Sequence, residues 1–271
     1  MEHKICSVLA IIVMLLSYSL TGCGTLPNGR TWGQDVTLAP GWDRLTKSAH
    51  HAFLAPDVIV PAIAAGLLQI DHVDARISDW AVEHTPLFGS SHNARVASDY
   101  GYILAETAYG VSVIATPGGT DRSEWVWSKC KGAAVGLIAH QISHDMTDFL
   151  KDHTQRRRPN QTARSSFPSG HVSGVAVNSR MAMKNLDLIP LSTPSRVVMK
   201  TGLYALTLAT AWARVEGHRH YPADGLAGMA LGNMIGVFFT ETFLGLERQP
   251  RMRMKVEPDI KAIFLQLSWE F

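Results

Sequence analysis

An all-α helical bundle is the fold this sequence predicts, on three observations. Long apolar stretches of helical length recur along the chain, turn chemistry separates them, and the chemically active residues cluster where the stretches begin and end. Residues 24–56 come first, rich in Gly, Pro and Thr with scattered Trp, and read as a tether with an irregular or short helical lead-in. Helices are expected over Val58 to Ile70, Ser98 to Ala115, Lys131 to Leu150, His171 to Lys184, Arg196 to Arg214 and Asp224 to Leu246. The breaks fall at Thr85-Pro86, at the Pro117-Gly118-Gly119 run, between Pro159 and Pro168, between Pro190 and Pro194, and at Pro222. The final stretch alternates, with Ile263, Leu265, Leu267, Trp269 and Phe271 on one parity, and reads as an edge strand or extended tail over 251–271. A single such segment closes no barrel.

Composition fits one domain. The chain has 271 residues, 46% hydrophobic and 18% charged, enough for one ample helical body over 57–250. A formal net charge of +2 is too mild to favour nucleic acid as a partner. Mean hydropathy is +0.04, and Glu106, His140, His144 and Lys200 interrupt the candidate helices. These features favour a lipid-tethered globular domain over a polytopic one, although Gly225 to Leu246 is apolar enough to consider as a span.

The N-terminus carries a lipoprotein-type signal. Lys4 precedes the apolar run Ile5 to Leu16, which leads to Leu20-Thr21-Gly22-Cys23. Cleavage before Cys23 removes residues 1–22 and leaves that thiol to be acylated, which anchors the chain without a spanning helix. Cys130 is then the one free thiol, and no internal disulfide can form. Gly24 follows the cysteine, so the outer membrane of a bacterial envelope is the favoured destination, with the domain facing the periplasm.

Three stretches carry the chemistry. KDHTQRRRP places Lys151 and Arg158 where two cations can grip one phosphoryl group, the arginine through a planar fork and the lysine as a point charge. FPSGH puts Ser169 at a helix start as a natural N-cap, and Gly170 and His171 then offer backbone N–H groups at the positive end of a helix. ARVEGHRHYPAD carries Arg214, His220 and Asp224, and a carboxylate after a histidine suggests an oriented base or nucleophile.

Together these stretches resemble the signature of the phosphatidic acid phosphatase type 2 superfamily, which includes bacterial acid phosphatases and vanadium haloperoxidases. The pattern is K-x6-RP, PSGH and SR-x5-H-x3-D, and Lys151 to Asp224 fits all three, except that Ala213 stands where serine is usual. The resemblance implies a helical bundle of the acid phosphatase and haloperoxidase type, with the active site at helix ends. It implies phosphomonoester hydrolysis without metal or other cofactor. His220 attacks phosphorus with Asp224 orienting it, and His171 protonates the leaving oxygen. Lys151, Arg158, Ser169, Gly170 and Arg214 hold the phosphoryl oxygens. A lipid phosphate, a lipid diphosphate or a small phosphate monoester is the expected substrate. The alternatives are a vanadate-dependent haloperoxidase and a non-catalytic envelope lipoprotein that keeps the fold.

Other clusters read more plainly. Arg156 and Arg157 look like a solvated basic run, and His218 and Arg219 look like loop residues. His140 and His144 lie one turn apart with Asp145 and Asp148 nearby, a spacing that could bind a metal but lacks the glutamate of the zinc-protease helix.

Overall fold

Two helices form the centre of the molecule, and five others pack around them. The computed structural model describes residues 24–26 and 29–246, and the backbone of 252–259 and 262–269. In chain order the helices are α1 (Trp42–Leu54), α2 (Pro56–Leu68), α3 (Val73–His84), α4 (Ser91–Ala115), α5 (Arg122–Thr154), α6 (Gly170–Leu186), α7 (Thr193–Glu216) and α8 (Pro222–Thr242). The expected all-α body is the one observed. Signal residues 1–22, the lipidation candidate Cys23 and the terminal Phe271 lie outside the described residues.

Starts of helices lie earlier than the apolar patterns suggest, because caps rather than apolar residues set them. Ser90 accepts from the Asn93 amide before α4, Asp121 accepts from Ser123 and Glu124 before α5, and Ser192 accepts from Ser195 before α7. α3 was not among the expected helices. Its sequence, VDARISDWAVEH, is too polar to show an apolar stretch, yet it buries Asp74, Ser78 and Ala81.

α6 and α8 pack closely along the axis through small residues. A Cβ at Gly228 would fall 2.5 Å from the Ser169 carbonyl oxygen, and one at Gly232 would meet the Ser173 carbonyl. α2, α4, α5 and α7 pack outside this pair, and α1 lies against α8 with Ala52 and Ala55 touching Ala230 and Val237. Directions alternate. α4, α6 and α8 run away from one pole of the bundle, and α5 and α7 run back towards it.

The lead-in is docked rather than free. Trp32 is fully buried, and its indole N–H donates to Asn185 Oδ1 at 3.0 Å. Its backbone N–H donates to the Pro117 carbonyl at 2.7 Å, and the Gly119 N–H donates to Gly24 O at 2.8 Å. Gly132 is required here, because any Cβ would enter the Trp32 ring. Lys129 closes the corner, with its ammonium 5.0 Å from the Trp32 ring centre and donating to Thr116 O and Oγ1.

The C-terminal stretch forms two strands, not one. β1 (Met252–Asp259) pairs antiparallel with β2 (Ala262–Trp269), Val256 opposite Leu265.

Candidate active site

The three motif stretches meet at one pole. α5 ends there because Gln155 takes a left-handed conformation, φ 46°, and its N–H caps the Lys151 carbonyl. This leaves Lys151 beside the start of α6, where a Cβ on Gly170 would lie 3.4 Å from its Nζ. Lys151 also bonds Asp148 at 2.9 Å. Ser169 precedes α6 as expected, but its hydroxyl makes no capping bond. The hydroxyl is instead buried and unpartnered, while the Ser169 N–H donates to the Asp224 carbonyl at 2.9 Å.

Seven buried side-chain polar atoms lack a partner among the described residues, and three of them are Arg158 Nε, Ser169 Oγ and Arg214 Nε. Buried polar groups are almost always satisfied, so three at one motif cluster point to a polar ligand there. Arg214 is itself buried, with Nη1 on Ser98 Oγ at 3.1 Å. Burial and the nearby Arg219 push the Arg158 pKa below its ordinary value. A guanidinium in that setting gains from an incoming anion.

His220 is buried at 2% exposure, held by the loop that follows α7. The Arg219 and His220 N–H groups both return to the Arg214 carbonyl, at 3.1 and 3.2 Å. The imidazole Nδ1 lies 2.7 Å from the Ser166 carbonyl oxygen and 3.8 Å from Asp224 Oδ2. A carbonyl can only accept, so Nδ1 carries the proton and Nε2 keeps its lone pair. Burial, helped by Arg214 and opposed by Asp224, lowers the His220 pKa.

Asp224 therefore orients His220 mainly at second hand. One of its oxygens accepts from Ser166 Oγ at 2.6 Å and from the Tyr221 N–H at 2.9 Å, and the other from Arg156 at 2.7 Å. Arg156 is not a solvated cation. Its guanidinium bridges Asp224 and Asp74, the latter at 2.6 Å, and lies 4.4 Å above the Tyr221 ring. Asp74 in turn accepts from the Ala223 N–H at 2.8 Å, fixing the start of α8 to α3.

His171 stands across from this group on the first turn of α6. Its Nε2 bonds Asp99 of α4 at 2.9 Å, and the Tyr102 ring packs 5.5 Å away. Glu216, fully buried at the end of α7, accepts the Leu87 and Phe88 N–H groups and ties down the loop before α4.

Arg156, Asp74, Ser166, Asp99 and Glu216 were not singled out for these roles in the sequence. Asp74 and Asp99 sit 82 and 72 positions from their partners, beyond any local spacing rule. Arg157 is exposed, as expected of a basic run. His140 and His144 do not converge on a metal. His140 bonds Tyr102 at 2.7 Å and Asn178 at 3.1 Å, His144 faces Asp148, and no group of three metal-ligating side chains occurs among the described residues.

Residues 130–247 match the family model of the PAP2 superfamily, and this part of the chain, which holds all three motifs, belongs to it. The bundle also resembles the solved structure of a transmembrane PAP2-type phosphatidylglycerolphosphate phosphatase from Bacillus subtilis. That match covers 74% of this chain and 98% of the other at 16% identity and a TM-score of 0.53, which shows a shared fold. No curated protein matches the chain.

Proposed function

We propose that the protein is a metal-independent phosphatase that cleaves a lipid phosphate, a lipid diphosphate or a small phosphate monoester through a phosphohistidine on His220. The observation that carries this reading is the trio of unpartnered atoms, Arg158 Nε, Ser169 Oγ and Arg214 Nε, beside an imidazole whose Nδ1 is already occupied. Membership of the PAP2 superfamily and the phosphatase among solved structures support phosphate-ester hydrolysis in general.

In the first step His220 Nε2 attacks phosphorus. The P–O bond to the leaving group breaks, and His171 gives that oxygen a proton. In the second step His171 takes a proton from water, the water oxygen attacks phosphorus, and the P–N bond breaks to release inorganic phosphate. Lys151, Arg158, Arg214, Ser169 and the Gly170 N–H neutralise the oxygens on which charge collects. Asp99 holds His171 through Nε2, which leaves Nδ1 to face the leaving oxygen. The reading extends to acylation of Cys23, which anchors the protein to a bacterial envelope membrane and keeps it close to lipid substrates.

Phosphate release by the purified protein in excess EDTA, from lipid phosphates, isoprenyl diphosphate and small monoesters, tests the chemistry. Wild type is expected to turn over, and His220→Ala to lose on the order of 10⁴-fold or more while keeping its helical circular dichroism. Near-normal turnover by the variant removes the phosphohistidine. Metabolic labelling with palmitate, lost in Cys23→Ala, tests the anchor.

A further inference from the structure

The outer faces of four helices are apolar between charged ends. On α2 no charged residue lies between Asp57 and Asp71, and Val60, Ile63 and Leu67 face outward. On α7 the run from Thr201 to Ala213 is uncharged, with Tyr204 and Leu208 exposed, and Val197 and Val198 extend the face past Lys200. On α5 the stretch between Lys131 and His144 shows Leu137, Ile138 and Ile142 to the outside. α4 presents Tyr100, Ile103, Leu104 and Ile114, and its one acid there, Glu106, lies 3.8 Å from His140. These side chains stand far out, with Leu137 at 72%, Val198 at 69%, Ile63 at 58% and Ile103 at 53% exposure. At 1.5 Å per residue, the uncharged stretches of α2, α5 and α7 are each about 20 Å long.

Such a surface is much larger than the single apolar patch of a typical soluble monomer. The four helices lie on different sides of the α6–α8 pair, so no one protein partner covers them. Hydrocarbon does, because it is apolar on every side at one height. The two charged rims fit this too: Asp71, Arg95 and Asp148 flank the phosphate site, while Asp121, Arg122, Asp187 and Arg196 flank the opposite pole. Lysine and arginine stems at the rims and local thinning of the bilayer bridge the gap between about 20 Å and a hydrocarbon core of about 30 Å. α8 is the one unbroken helix among the described residues with the length and apolarity of a span, and it is 78% buried in the centre, where it makes no lipid face. α1 and α2 pass the same test together as a pair bent by 47°.

We propose that the bundle is immersed in a bilayer, with the phosphate site at one face and the point of N-terminal attachment at the other. The second half follows from the docked lead-in. Gly24 is bonded to Gly119 and Trp32 to Pro117, in the turn between α4 and α5, at the pole opposite His171 and Lys151. Residue 23 therefore enters the membrane from the face away from the site. This departs from the tethered globular domain expected from hydropathy. It rests neither on the phosphohistidine nor on acylation of Cys23.

Site-directed thiol labelling of the full chain in its native membrane tests the proposal. Arg122→Cys marks the attachment pole and Thr162→Cys the site pole; both positions are exposed and neither belongs to the phosphate site. A membrane-impermeant maleimide, read by mass spectrometry of each tagged peptide, is expected to label the two positions from opposite sides, with at least a ten-fold preference each. Leu137→Cys and Leu208→Cys are expected to react only after detergent is added. Labelling of positions 122 and 162 from the same side, or ready labelling of 137 and 208 in intact membranes, overturns the immersion. Phosphate release by the Thr162→Cys protein in detergent reports the chemistry separately.

Discussion

The two poles of the bundle each bury a cation, and they treat it in opposite ways. At the attachment pole the Lys129 ammonium is enclosed by Trp32 and Trp125 and donates twice to Thr116. At the other pole Arg158 and Arg214 are drawn out of water with one nitrogen each left unpartnered, beside an unpartnered serine hydroxyl. Burying a charge costs free energy in both places. At Lys129 the protein meets that cost within its own structure, and the lysine pins the lead-in. At the arginines it leaves bonding capacity open, which makes sense only where a ligand supplies the missing acceptors. The contrast separates a cation kept for stability from cations kept for binding, and substitutions at each pole should move different observables.

The largest effect after loss of His220 itself is expected at Arg158. Arg158→Lys keeps the charge but replaces the planar fork with a point donor, so kcat/KM should fall by about 10²–10³-fold with the melting temperature unchanged or raised. Steady-state phosphate release and a thermal melt check this together. Equal activity would move Arg158 out of the phosphate site and dissolve the contrast.

How much of this was legible follows the same division. Lys151, Arg158, His171, Arg214, His220 and Asp224 were readable because their spacing is short and repeats a known pattern. Arg156 was not, since within an arginine run nothing local separates a solvated cation from one that bridges two buried carboxylates. Its partner Asp74 lies on a helix too polar to show periodicity, and the fold alone brings them together. The helical class was readable from apolar length. The docking of Trp32 was not, because a lone tryptophan in a Gly- and Pro-rich stretch gives no sign of the Gly132 notch that receives it.

At the attachment pole the prediction reverses. Lys129→Met keeps the volume and removes the ammonium, leaving the Thr116 carbonyl and hydroxyl short of a donor. Stability should fall by roughly 1–3 kcal/mol, seen as a lower melting temperature, while phosphate release per folded molecule stays within about two-fold. A loss of activity without loss of stability would mean the two poles communicate.

The pH profile sharpens the reading of the site pole. Burial lowers the His220 pKa below 6.5, so its imidazole is neutral, and able to attack, at pH values above that depressed value. The acid limb of kcat/KM, corrected for ionisation of the substrate, should therefore fall below pH 6.5. An acid limb centred above pH 7 would mean that Asp224 outweighs burial and that His220 enters the reaction charged.

The smallest effect is expected at the one departure from the family pattern. Ala213 is 1% exposed, and its carbonyl accepts the Gly217 N–H at 2.9 Å, so its role is to end α7 and start the loop that carries His220. Ala213→Ser leaves that backbone bond in place and adds a hydroxyl that can bond back to a carbonyl one turn earlier. Activity should stay within about two-fold and stability within about 1 kcal/mol. A rise in kcat/KM of ten-fold or more would mean that a hydroxyl at 213 supplies something the phosphate site lacks. The open capacity around Arg158, Ser169 and Arg214 would then be partly a deficit of this chain, and only partly a place kept for the ligand.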